Sequence, residues 1–188
     1  MADMYTNDAE FDDVKLAGDR PSEQIRESHA ADDKWETYQQ NGNIARAQKI
    51  GATLGGIIAG NKQGDAGAGR EDTLHMVLAA FACVAAMESG LPDKLLVRVA
   101  LNVFYDVVKK ENPWLYDQMG SSGAFTFFYL AWRKPGDAYR NVAETFAMLA
   151  GKTYEAETDQ DQYAADTREL FLHSCDFAEA AVREVAFE

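Results

Sequence analysis

Apolar residues recur along most of the chain at intervals of three and four, the spacing that gathers them on one face of an α-helix. Leu74, Val77, Leu78, Phe81, Val84 and Met87 form one such stripe. Asp72, His75, Ala79, Ala82 and Ala86 form a second, of small residues apart from its start. A helix apolar on nearly every side predicts a central core position for 71–89. Leu96, Val99, Ala100, Val103 and Val107 predict a helix over 92–111, with Lys94, Arg98 and Lys109 on its wet side. Asn112-Pro113 ends it, because the residue before a proline avoids helical backbone angles. Trp114 to Met119 is then read as one short turn. Tyr139, Val142, Ala143, Phe146 and Leu149 predict a helix over 138–150, capped by Asp137 and closed by Gly151. After an acidic linker, 155–161, Thr167, Leu170, Phe171, Ser174, Ala178 and Val182 make the inner stripe of a last helix.

The other segments are less regular. A helix over 19–40, with Pro21 in its first turn, has a thin stripe of Ile25, Trp35 and Tyr38, which places it at the surface. Asn43 is positioned to cap a second helix bearing Ile44, Ala47, Ile50 and Leu54, followed by a glycine-rich loop, 60–69. Seven of the fourteen glycines lie between 51 and 69. Gly51 and Gly55 stand four apart, as do Gly56, Gly60 and Gly64; small residues at that spacing let two helix backbones meet closely. Such a small-residue face offers a contact to a neighbouring helix or to a second copy of the chain. The run from Ala124 to Trp132 is apolar on every face, which suits a buried strand as well as a helix. Its helical neighbours favour a helix from Ser121 or Ser122, either of which would cap it, to Lys134. The expected fold is therefore all-α: a single-domain bundle of about seven helices over 19–188, with an irregular acidic tail over 1–18.

Charge narrows the function classes. The 188 residues carry a net charge of −13, unevenly placed. Residues 1–33 sum to −7 and residues 155–188 to −8, while 34–154 sum to +2. No basic run exists to displace counterions from phosphates, which argues against direct nucleic-acid binding. The acidic ends instead suit a mimic of nucleic acid that captures a basic partner by salt-sensitive attraction. The start of the chain lacks the basic and apolar segments of a signal peptide. The longest uncharged stretch in the greasiest helix, Thr73–Met87, is short of the roughly 20 residues a bilayer needs. Cys83 and Cys175 lack CxxC partners and read as two buried thiols. The expectation is a cytoplasmic protein with no membrane segment, no cofactor and a homodimer as one open arrangement.

Three constellations carry candidate chemistry. Asp72 and His75 are three apart on one predicted helix, and Glu169 and His173 four apart on another. Metal sites in bundles use carboxylate–histidine pairs on facing helices. The alternative these four residues offer is a metal-dependent helical-bundle enzyme, which requires that the two helices pack together and their histidines converge. The glycine-rich stretch before Lys62 lacks the Gly-Lys-Ser/Thr of a phosphate loop, and Glu71 and Asp72 would repel a phosphate at the following helix start. The third constellation is aromatic. Seven aromatics fall within nineteen residues, Phe125, Phe127 and Phe128 among them, and five residues are the pocket candidates: Trp114, Tyr116, Tyr129, Trp132 and the directly following Arg133. Core is the common fate of aromatics at helical spacing. The same five residues would also serve an apolar pocket with a cationic rim. No nucleophile arrangement stands out, since Ser174 and Cys175 do not face His173 on a helix. The leading expectation is a non-enzymatic module that binds a protein or a small apolar ligand.

Overall fold

In the computed structural model, residues 33–60, 69–151 and 157–188 are described, and among them every regular element is a helix. Eight helices follow in order: α1 (33–40), α2 (Asn43–Gly60), α3 (Arg70–Gly90), α4 (Lys94–Glu111), α5 (Pro113–Ser121), α6 (Ala124–Trp132), α7 (Ala138–Ala150) and α8 (Glu157–Arg183). The fold is an all-α bundle. The expected tail over 1–18, the first half of the 19–40 helix and most of the glycine-rich loop lie outside the described residues.

Helix α3 runs through the centre. From Leu74 to Met87 only His75 and Ala79 fail to be fully buried. It is long and apolar enough to cross a membrane, yet 67% of its most apolar window is covered by the rest of the bundle. That is the burial of a core helix. Around it pack α8, α6 and α4. Five fully buried phenylalanines, Phe81, Phe104, Phe128, Phe146 and Phe171, come from five different helices. Each contributes roughly 1.5–3 kcal/mol through removal of its ring from water. Phe81 is the hub. Its ring centroid lies 5.4 Å from Phe125, 6.0 Å from Phe128 and 6.0 Å from Phe171.

The glycine spacing in α2 is used inside the chain. A Cβ on Gly51 would lie 2.1 Å from the Ala100 carbonyl oxygen, and one on Gly55 would lie 3.0 Å from the Val107 Cβ. These two glycines let α2 press against the backbone of α4. Gly56 and Gly60, on the same helix, face open space. On α3 the small residues Ala82 and Ala86 are likewise covered within the chain.

Helix ends agree with the sequence in some places and differ in others. Asp137 caps α7 by accepting from the N–H groups of Tyr139 and Arg140, as expected. Its second oxygen pairs with Arg168 of α8 at 3.2 Å. These bonds hold the Asp137 carboxyl below the usual carboxylate range. Asp93 caps α4 through the Leu95 N–H and also bonds Lys34 of α1. The expected turn at 114–119 is instead the two-turn helix α5. Asn112 ends α4 and at once caps α5 by accepting from the Leu115 N–H at 3.0 Å, while Pro113 has the backbone angle of a first helical residue. That adds the eighth helix. Ser122 closes α5, donating to the Gln118 carbonyl. Gly123, at φ 69°, turns the chain into α6, and the Ser122 hydroxyl accepts from the Ala124 N–H at 3.3 Å. The apolar run is thus a helix from Ala124 to Trp132, shorter than the expected 121–134.

Asn43 does not cap α2. The Asn43 N–H donates instead to the Asn41 side chain at 3.1 Å. The Asn43 side chain, only 1% exposed, reaches across the bundle to Glu188. Its amide N–H donates to the Glu188 carbonyl at 2.5 Å and its oxygen accepts the Glu188 N–H at 3.1 Å. Arg46 adds a bond to the same Asn43 oxygen and an ion pair to the Glu188 carboxylate.

Candidate functional site

The aromatic constellation divides between core and surface. Trp132 turns inward, edge-on to Phe81, Tyr139 and Phe171 with centroid separations of 6.4, 5.3 and 5.8 Å. It is half-buried and packs against the core. Trp114, at the start of α5, is half-buried and packs against the core. Tyr116, two residues further on, faces a cleft of about 270 Å³ between α4, α5 and α6. The other walls are Tyr105 of α4, Met119 and Gly120 of α5, and Phe125 of α6. Tyr129 of α6 and Arg133 just after it, one and two turns beyond Phe125, do not line this cleft. The Arg133 guanidinium lies 4.3 Å from the Tyr129 ring centroid and pairs loosely with Glu88 of α3 at 3.9 Å. So of the five expected residues the structure places Tyr116 alone on the cleft, while Tyr129 and Arg133 pack on each other and Trp114 and Trp132 pack against the core.

Sequence spacing missed Tyr105, Met119 and Gly120, while Phe125 was part of the aromatic run. Tyr105 was hidden by its neighbour Phe104, which carries the core stripe of α4 and is fully buried. The Tyr105 ring is half-buried and its hydroxyl makes no hydrogen bond to a described residue. Burial, with smaller contributions from Glu88, Tyr116 and Tyr129, pushes its pKa up to about 12. At neutral pH Tyr105 therefore keeps its proton and is a hydrogen-bond donor. Gly120 leaves the cleft open, since a Cβ there would meet nothing within 4 Å.

The metal constellation is not assembled. Helices α3 and α8 do pack together, and Asp72, His75 and Ser174 border a cleft of about 580 Å³ between them. Yet the His75 ring stacks on Phe146, with centroids 4.7 Å apart. Glu169 and His173 are exposed on α8 and do not line that cleft. Among the described residues, no three His, Cys, Asp or Glu side chains are placed to hold a metal ion. Ser174 donates its hydroxyl proton to the Leu170 carbonyl one turn back on its own helix. A residue pattern at helical spacing fixed the face of each pair but not the rotation of α8 about its axis.

Two further features complete the surface. Between α7 and α8 a polar cleft is bordered by Arg140, Glu144 and Arg168, whose charges are already matched: Arg140 pairs with Glu144 at 2.8 Å and Arg168 with Asp137. Between α6 and α7 a shallow groove exposes Phe127, Leu130 and Met148. The acids Asp161, Asp166, Glu169, Asp176 and Glu184 are exposed along α8. Comparison with known proteins brings no resemblance: no family model, no curated protein and no solved structure matches the chain.

Proposed function

We propose that the protein is a non-enzymatic small-ligand-binding module, and that the cleft between α4, α5 and α6 is its site. One observation carries this reading. Tyr105, Tyr116, Phe125 and Met119 wall a cavity with no charged lining residue among those described, and the Tyr105 hydroxyl makes no hydrogen bond to a described residue. Apolar walls with a few directed polar groups are what small-molecule sites are made of, and this volume falls just below their usual range of roughly 300–1,000 Å³, which restricts the ligand to a small one. A flat ring of one or two fused cycles suits these walls. The two buried thiols favour a reducing, cytoplasmic setting.

The test is ligand-observed NMR with a panel of one- and two-ring aromatic fragments, on the native chain and on Gly120→Leu. Gly120 has room for a side chain, so the variant should fold and fill the cleft. Fragment signals that appear with the native chain and vanish with Gly120→Leu support the site. Binding that survives a folded Gly120→Leu places the ligand elsewhere.

A further inference from the structure

The cleft between α4 and α5 has a charged group at its rim that the apolar walls do not require. Lys109 stands four residues after Tyr105 on α4, so the two side chains leave the helix on the same face. The Lys109 ammonium lies 5.5 Å from the centroid of the Tyr116 ring, which is itself a wall of the cleft. Cation–π attraction holds it there. Asp106, Glu111 and Asp117 are exposed on the same two helices, yet among the described residues no carboxylate pairs with Lys109. The basic last turn of α4 holds both Lys109 and Lys110, and both favour the negative end of its helix dipole. The dipole does not explain why Lys109 alone lies over Tyr116.

Tyr105 supplies a second group for the same chemistry. Its ring is a wall, its hydroxyl is unpartnered among the described residues, and burial keeps it protonated. A protonated phenol and an ammonium are both donors, so the cleft offers two donors and asks for acceptors. The nearby carboxylate that would repel an anion, Glu88, is turned toward Arg133. Hydrogen bonds from a charged donor to a carboxylate are the stronger kind, and desolvation beside aromatic walls strengthens them further.

We propose that the ligand is a flat aromatic carboxylate, with its ring among Tyr116, Phe125 and Met119 and its carboxylate held by Lys109 and Tyr105. This rests on the cleft being the ligand site. The experiment is isothermal titration of the full chain with three probes of one ring system: 2-naphthoate, neutral 2-naphthylmethanol and cationic 2-naphthylmethylamine. The expected result is that naphthoate binds at least about fivefold more tightly than the other two. Lys109→Ala and Tyr105→Phe should each reduce that preference, and raising salt should weaken naphthoate alone. The conservative Lys109→Arg should keep it. Equal binding of all three probes, lost in Gly120→Leu, overturns the carboxylate assignment while the cleft stands. Tighter binding of the amine likewise overturns it, with the cleft intact. No binding of any probe overturns both. Unchanged thermal unfolding of Lys109→Ala excludes loss of fold as the cause of weaker binding.

Discussion

Gly51 and the Ala100 carbonyl stand so close that a Cβ on residue 51 would lie 2.1 Å from that oxygen. Neither atom belongs to a flexible side chain, so a Gly51→Ala variant can be accommodated only by moving α2 away from α4. Overpacking of this kind costs about 1–3 kcal/mol or more. Gly56→Ala, five residues along the same helix, meets nothing within 4 Å. There the better helix propensity of alanine should stabilise by up to about 1 kcal/mol. Urea unfolding of the two variants should move in opposite directions. Equal shifts would mean that the glycines act through chain entropy alone and not through the helix crossing.

Asn43 bonds both backbone groups of Glu188, from a position that is only 1% exposed. Asn43→Ala would strand the Arg46 guanidinium bond and release the last residues from α2. The expected cost is about 1–3 kcal/mol, from the loss of three hydrogen bonds whose partners Arg46 and Glu188 can turn to water. The Glu188 N–H should also lose protection against hydrogen exchange, while amides in α3 keep theirs relative to global stability. A loss spread evenly over all amides would show that the link acts only through overall stability.

The helices were legible because they are written in local spacing. The stripe of α3, the Asp137 cap and the punctuation at Asn112-Pro113 each depend on residues within one or two turns. What was not legible depends on partners far away in the chain. Asn43 resembles a cap by position, and nothing near it announces Glu188, 145 residues later. Trp132 and Tyr116 have similar composition and spacing. Only the packing of α6 against α3 and α8 decides that the first packs against the core and the second is a cleft wall. The four metal candidates lie on neighbouring helices as supposed, but His75 is drawn to the Phe146 ring and His173 to solvent. Helix α5 escaped notice because it is only nine residues long and its start is fixed by a single asparagine cap and a proline.

Burial pushes the thiols of Cys83 and Cys175 up to about 12, from an ordinary value near 9.0. Both are 2% exposed. At pH 8 the folded chain should not react with Ellman's reagent on a timescale of minutes, and both thiols should react once urea unfolds it. The same shifts set an alkaline limit. Each group holds its proton more tightly folded than unfolded, so its contribution is whole below pH 9 and is lost as pH rises toward about 12. Tyr105 acts with the same sign from pH 10 to about 12. Stability measured by urea midpoint should therefore fall between pH 9 and 12, and less steeply in a Cys83→Ala, Cys175→Ala double variant. A double variant with the native pH slope would remove the thiols as the cause.

Stability and binding should separate at two aromatic residues that look alike in the sequence. Trp132 packs edge-on against the rings of Phe81, Tyr139 and Phe171 and is itself half-buried, so its replacement by alanine should cost about 3 kcal/mol, the low end of the range for aromatic-to-alanine changes. Trp132→Phe preserves most of that contact area, so the chain should stay folded with a lowered unfolding midpoint. Its cleft is untouched, because Trp132 is not a wall of it. Tyr116 is half-buried at the surface, and Tyr116→Ala should cost less stability than Trp132→Ala. It also removes a wall of the cleft and the ring under the Lys109 ammonium. Naphthoate titrated into the two variants should bind Trp132→Phe as it binds the native chain and bind Tyr116→Ala at least about tenfold more weakly, since stacking on an aromatic ring is worth roughly 1–3 kcal/mol. If binding instead follows the loss of stability in both variants, the ligand is reading the folded bundle as a whole and not the face that Tyr116 presents.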